Sequence, residues 1–214
     1  NIDIGGPALV RAAAKNYRDV TIICDTSQYD ELILHLQKNN CSTSLKLREK
    51  LSSEAFNATA SYDSNIANYF NNITENSFPK KKTFAFKLHE KLRYGENPHQ
   101  EASVYIDGDY KLKQLNGKKL SFNNYSDIFA ALRISKTLPK NKGTVIVKHA
   151  NPCGVSIETN KVDSFKLALK SDPISAFGGI VSCNFKINKK VAEEINKVFL
   201  SLIHISEPTR RYEI

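Results

Sequence analysis

Apolar residues run along this chain in short blocks, and the spacing within the blocks switches between helical and extended. The first block predicts a helix from about Pro7 to Asn16, since Pro7 suits a first turn and Ala12-Ala13-Ala14 favours the state. Val20-Thr21-Ile22-Ile23-Cys24 is β-branched and predicts a strand. Helices are expected from about Gln28 to Gln37, with Leu32, Leu34 and Leu36 as apolar area, and from about Ser44 to Phe70. A polar connector with Pro79 follows, from Asn71 to Thr83. Ala102 to Ile106 predicts a strand with a turn at Asp107-Gly108-Asp109, and Asn116-Gly117 signals another turn. A helix is expected from about Ser126 to Leu138. Thr144-Val145-Ile146-Val147 predicts a buried strand entering Lys148, with Asn151-Pro152 and Gly154 as the sharp turn at its end. The remainder predicts a helix from about Ser164 to Lys170, a loop Asp172 to Gly179, a strand Ile180 to Cys183 and an amphipathic helix from about Lys189 to Phe199. Alternating helices and strands make this an α/β chain.

The bulk numbers narrow the class. The 214 residues suffice for one good core or two partial ones. No apolar run is long enough to span a membrane and no signal peptide opens the chain. Cys24, Cys41, Cys153 and Cys183 are scattered, so neither a zinc site nor a disulfide framework is suggested, and free thiols fit a cytoplasmic protein. The net charge of +9 raises a nucleic-acid partner, but the basic residues are dispersed, with Lys80-Lys81-Lys82 the only compact run. A basic surface equally suits anionic small molecules.

Both ends are unusual. The chain has no methionine, so Asn1 is not an ordinary initiator. The stretch from Leu200 to Arg210 resembles the translated read-through of a sequencing adapter, so residues 200–214 are expected to be non-native and His204 is given no role.

Candidate chemistry centres on Lys148-His149, expected at the mouth of a sheet, where open α/β folds place their ligands. Histidine moves protons near neutral pH, and a neighbouring ammonium can hold an anion or a developing oxyanion. Successive strand residues face opposite ways, so both serve one site only if the backbone bends, for which the Asn151-Pro152 turn supplies a reason. The plain alternative is a solvated lysine beside a half-buried histidine. Gly5 and Gly6 allow close backbone approach ahead of a helix, and Arg11 and Lys15 share a face of it. Arg93 offers a planar fork for a phosphate, Tyr94 a hydroxyl, and Gly95 room for a ligand. Asn124 can donate and accept, or can simply cap a helix.

Four stretches in this order, Asn1–Asn16 (NIDIGGPALVRAAAKN), Leu92–Gln100 (LRYGENPHQ), Lys148–Gly154 (KHANPCG) and Ser171–Val181 (SDPISAFGGIV), resemble the bifunctional purine biosynthesis family. That family joins 5-aminoimidazole-4-carboxamide ribonucleotide (AICAR) formyltransferase to inosine monophosphate (IMP) cyclohydrolase. The resemblance implies that residues 1–75 are the C-terminal part of a methylglyoxal-synthase-like cyclohydrolase domain. Residues 76–199 would be the first half of a cytidine-deaminase-like formyltransferase domain. It implies Lys148 and His149 as catalytic groups for formyl transfer from the cosubstrate 10-formyltetrahydrofolate to AICAR, and Asp3 and Lys15 for cyclisation of formyl-AICAR to IMP. Arg93 and Tyr94 would hold the nucleotide phosphate, Asn124 the base, and Ser175, Phe177 and Gly178 would line the nucleotide site. A homodimer is also implied, and no metal is expected in this fragment, which carries no Cys/His zinc set. The fragment is expected to be incomplete for both reactions. A non-catalytic nucleotide-phosphate-binding role and a basic nucleic-acid-binding role are the alternatives.

Overall fold

A computed structural model describes residues 1–108, 112, 114–198, 200 and 202–205. The predicted turn residue Asp109, the predicted helix end Phe199 and most of the tail 200–214 lie outside the described residues. The chain divides into two compact units, one holding Asn1–Lys87 and grouping residues 106–108 with it, the other holding Leu88–Tyr105 and the described residues from 112 onward.

The first unit is helical. Its helices are α1 (Gly5–Lys15), α2 (Tyr29–Lys38) and α3 (Leu45–Ile73). Helix α3 buries Leu47, Leu51, Ala55 and Thr59, a four-residue spacing that keeps one stripe on one face. Helix α1 packs on α3, with Ala14 fully buried and the Ser52 hydroxyl donating to the Ala14 carbonyl at 2.7 Å. Arg48 then fixes the chain leaving α1: Nε donates to the Tyr17 carbonyl at 2.8 Å and a terminal nitrogen to the Arg18 carbonyl at 2.6 Å. The expected strand Val20–Cys24 does not form. These residues have no regular secondary structure and pair with no strand among the described residues. Their far end is held by a side chain instead: the Gln28 Oε1 accepts from the amides of Cys24 and Asp25 at 2.9 and 3.1 Å.

The second unit is α/β with antiparallel pairing. A two-stranded sheet joins β1 (Lys87–Lys91) to β2 (Ser103–Ile106). Helix α4 (Phe122–Thr137) follows, then β3 (Gly143–Lys148), β4 (Asn151–Ile157), α5 (Lys161–Ser171), β5 (Ile180–Cys183), α6 (Lys189–Ile195) and β6 (Leu202–Ile205). The larger sheet has the order β4-β3-β5-β6; β3 is antiparallel to both β4 and β5, and β6 is parallel to β5. Central β3 is buried from Gly143 to Val147. Its alternation divides two cores: Val145 and Val147 pack with Ala131 of α4, while Ile146 packs with Phe165, Ala168 and Val191 of α5 and α6. Helices thus cover both faces, which explains a continuous apolar run. Asn184 locks the entry to β3, accepting from the amides of Lys142 and Gly143 at 3.1 and 2.8 Å and donating to the Pro139 carbonyl at 3.0 Å.

Three expectations change here. Helix α4 starts at Phe122 rather than Ser126, because Ser121 and Asn124 form a capping box. Residues 151–154 are not a turn but the start of β4, an edge strand where Pro152 costs no ladder bond to a second neighbour. The antiparallel pairing also removes the strand-end crevice of an open parallel sheet as the setting for Lys148-His149. Register shifts at Ile146/Val147, so Cys153 is the extra residue of a β-bulge between Pro152 and Gly154.

Gly154 is buried because β4 lies directly on α5. A Cβ there would sit 1.9 Å from the Ala168 carbonyl oxygen. Gly154→Ala is expected to destabilise the second unit by about 2–3 kcal/mol through overpacking against backbone. Urea unfolding followed by circular dichroism measures this.

Candidate functional site

The second unit gathers the Lys148-His149 stretch at one end of the β3-β4 hairpin. Lys148 and Asn151 are the last ladder pair, which leaves His149 and Ala150 as a two-residue loop. Both have positive φ, +53° and +59°. That is the signature of a type I′ turn, a geometry that matches strand twist but favours Asn-Gly over His-Ala. The bend that lets lysine and histidine face different neighbours is therefore at His149-Ala150, two residues before the Asn-Pro step expected to supply it. Asn151 supports the turn, its side-chain amide donating to the His149 carbonyl at 2.9 Å. His149 itself is exposed.

Strand parity places Lys148 with Thr144 and Ile146, on the face covered by α5. There its Nζ donates to the Phe177 carbonyl at 2.7 Å. The ammonium keeps further protons for a ligand. The loop it grips is ordered by its own bonds. Asp172 Oδ1 accepts from the Ser175 amide at 2.9 Å, its carbonyl accepts from the Ala176 amide at 3.1 Å, and Gly178 takes φ +76°. Ala176 is fully buried, whereas Ser175 and Phe177 are exposed beside it.

Helix α4 brings in the other stretch. The Arg93 amide donates to the Leu120 carbonyl at 3.5 Å, the Phe122 amide to the Tyr94 carbonyl at 3.4 Å, and the Asn123 side chain to the Glu96 carbonyl at 3.1 Å. The Arg93 loop is thus tied to the start of α4. Gly95 is buried, and a Cβ there would meet Gln100 Cβ at 2.8 Å, so its own loop already leaves room only for glycine. The Arg93 guanidinium lies 5.2 Å from the Tyr94 ring centroid, exposed and with no carboxylate partner among the described residues. Asn124 Oδ1 accepts from the Ser121 amide and hydroxyl, both at 3.0 Å, so a ligand contact from Asn124 must come through its amide nitrogen. One turn further along the same face, Asp127 Oδ1 accepts from the Ala150 amide at 2.6 Å. Asp127 had no signal in the sequence beyond its spacing of three from Asn124.

In the first unit Asp3 and Lys15 are not brought together. Asp3 precedes α1 and Lys15 is its last residue, so the length of the helix, about 15 Å, separates their backbones. Asp3 is held at its amide, which donates to the Tyr62 hydroxyl at 2.8 Å, and its Oδ1 accepts from the Gly6 amide at 3.2 Å. A Cβ on Gly6 would lie 2.4 Å from the Asp3 carboxylate, while one on Gly5 would meet nothing within 4 Å. A side chain at Gly6 would therefore displace the Asp3 carboxylate, and one at Gly5 would not. Among the described residues no cluster of His, Cys, Asp or Glu could hold a metal ion, and no helix is long and apolar enough to cross a membrane.

Two expectations follow. Ala150→Gly is expected to stabilise the hairpin by about 1 kcal/mol, since glycine adopts positive φ without a Cβ clash. A rise in the thermal midpoint checks it. The Ser175 hydrogen bond holds the Asp172 carboxyl below its ordinary value near 3.8. A carboxyl lowered in the folded state contributes stability above its unfolded value and loses it as pH falls through the folded one. Acid titration is thus expected to release the Ser175 amide, seen as a shift in its NMR resonance. Neutral pH is expected to keep it bonded.

Comparison with known proteins bears on the family of the chain. The model of the AICARFT/IMPCHase bienzyme family matches residues 13–210. The bifunctional purine biosynthesis protein PurH of Listeria monocytogenes serovar 1/2a is 44% identical over 209 residues, covering 95% of this chain and 41% of that protein. PurH of Leptospira biflexa serovar Patoc is 46% identical over 202 residues, covering 94% of this chain and 39% of that protein. The chain spans about two-fifths of the length of these curated relatives. With nearly its whole length matched, the chain belongs to the AICARFT/IMPCHase bienzyme family.

Proposed function

We propose that the second unit supplies part of a formyltransferase site, in which the 5-amino group of AICAR attacks the formyl carbon of 10-formyltetrahydrofolate. The observation that carries this reading is the hairpin turn that presents His149 beside Lys148, with the Arg93 and Phe177 loops tied to the same frame. The amine of AICAR is weak because its lone pair delocalises into the ring and carboxamide. His149 takes the amine proton as the new C–N bond forms, and Lys148 stabilises the oxyanion on the former formyl oxygen. Collapse of that tetrahedral intermediate breaks the formyl bond to the folate nitrogen, which leaves as the tetrahydrofolate amine with the proton returned from His149. Arg93 and Tyr94 bind the phosphate, Asn124 the base through its amide nitrogen, and Ser175, Phe177 and Gly178 the nucleotide.

The first unit is the C-terminal part of the cyclohydrolase domain, of methylglyoxal-synthase-like fold, in this proposal. Asp3 and Lys15 then act in the ring closure of formyl-AICAR with loss of water, each with groups from elsewhere in the whole protein. Gly5 and Gly6 carry the backbone past the ligand. The second unit is the first half of a cytidine-deaminase-like domain. The whole protein works in the cytoplasm as a homodimer that shares the formyltransferase site. Residues 200–214, the adapter-like tail, stay outside this proposal.

His149→Ala in the full-length protein is expected to abolish formyl transfer while AICAR binding survives. Lys148→Ala is expected to cost about a hundredfold or more in turnover. Steady-state formyl-transfer rates and AICAR titration calorimetry measure the two quantities. Near-normal turnover of the His149 variant overturns the assignment. AICAR binding with no turnover in the unaltered full-length protein favours a binding-only role.

A further inference from the structure

We propose that Asp127 is a positioning residue that holds the His149-Ala150 turn in its left-handed conformation. L-residues resist that conformation, and two of them adopt it in succession here, at φ +53° and +59°. The β3-β4 ladder fixes the residues on either side, Lys148 and Asn151, but leaves the Ala150 amide outside its pairs. That amide donates to Asp127 Oδ1 at 2.6 Å, a bond to a charged acceptor from an element 23 residues away.

Other roles do not account for Asp127. It is past the first turn of α4, which begins at Phe122, so it does not complement the helix dipole. It makes no ion pair among the described residues. The helix that carries it is rigidly seated, with Ala131 packed on Val145 and Val147 of β3. Asp127, Asp172 and Lys148 also act electrostatically on the Cys153 thiol, in the bulge that follows this turn. A carboxylate on a fixed helix thereby sets where the imidazole of His149 stands. The consequence for catalysis rests on the formyl-transfer reading above; the consequence for the turn does not.

The test is NMR of the ¹⁵N-labelled 214-residue chain. The Ala150 amide is expected to be protected from hydrogen exchange. Asp127→Ala is expected to speed exchange at Ala150 by about ten- to a hundredfold, with Val145 and Ile146 near their original rates. Asp127→Asn keeps an oxygen acceptor and is expected to recover most of the protection. Equal acceleration at Val145 and Ile146, or an Asn variant as damaged as the Ala variant, overturns the proposal. If the Ala variant does not fold, the unaltered chain decides: an Ala150 amide protected from exchange supports the proposal and an unprotected one overturns it. None of these readouts uses AICAR or turnover, so the formyl-transfer reading can fail while this inference stands.

Discussion

A strand buried on both faces and hydrogen-bonded on both edges leaves its chain no gradual way out. Strand β3 is such a strand, covered by α4 on one face and by α5 and α6 on the other, with β4 and β5 alongside. Its last paired residue is Lys148, and the next paired residue, Asn151, already belongs to β4. Two residues must reverse the chain, and strand twist selects the left-handed turn for them. Glycine would fit that turn without strain, yet the positions hold histidine and alanine. Each left-handed L-residue costs about 1–2 kcal/mol, so the surroundings must over-determine the conformation. Asn151, which bonds the His149 carbonyl, and Asp127, which bonds the Ala150 amide, are the local means.

Helix α4 connects this turn to the rest of the site. Its capped start holds the Arg93 loop, its Asn124 and Asp127 lie on one face, and its Ala131 sits against β3. On the opposite face of the sheet, Lys148 ties the turn to the loop after α5. A displacement of α4 relative to β3 would move the phosphate-binding candidates and the His149 turn together. Precise placement depends on such supporting contacts more than on the reactive groups themselves.

The sequence was most readable where one residue type had one physical use. The β-branched run Thr144–Val147 gave a buried strand, Ile180–Cys183 gave another, and the long helix from Ser44 appeared nearly as expected. Readings failed where a residue type has two uses. Pro152 and Gly154 read as turn residues, but Pro152 sits on an edge strand and Gly154 makes room for the Ala168 carbonyl. Val20–Cys24 has strand composition but finds no partner strand among the described residues, and pairing is a tertiary event that composition does not supply. Asn124 serves as a helix cap as its residue type allowed, which restricts rather than removes its use in a site. Asp127 was invisible because its partner is a backbone amide, and backbone partners leave no pattern in sequence.

The same geometry narrows the chemistry available at the turn. Cys153 is the bulged residue of β4 and the nearest thiol to His149 in the chain, so thiolate chemistry is a natural rival to imidazole chemistry there. Burial raises its pKa, the Asp172 carboxylate raises it further, and the Lys148 ammonium offsets only part of the rise. Cys183, the other thiol of the second unit, is pushed up to about 11 by burial. Both thiols are therefore protonated at neutral pH, and a protonated thiol is a poor nucleophile. A nucleophilic cysteine needs a net positive setting, whereas the charges around Cys153 are two carboxylates and one ammonium. The same ammonium donates to the Phe177 carbonyl, a commitment that directs it toward the loop. In the proposed site the turn thus offers a ligand the His149 imidazole and the Lys148 ammonium, without a competing covalent route through sulfur.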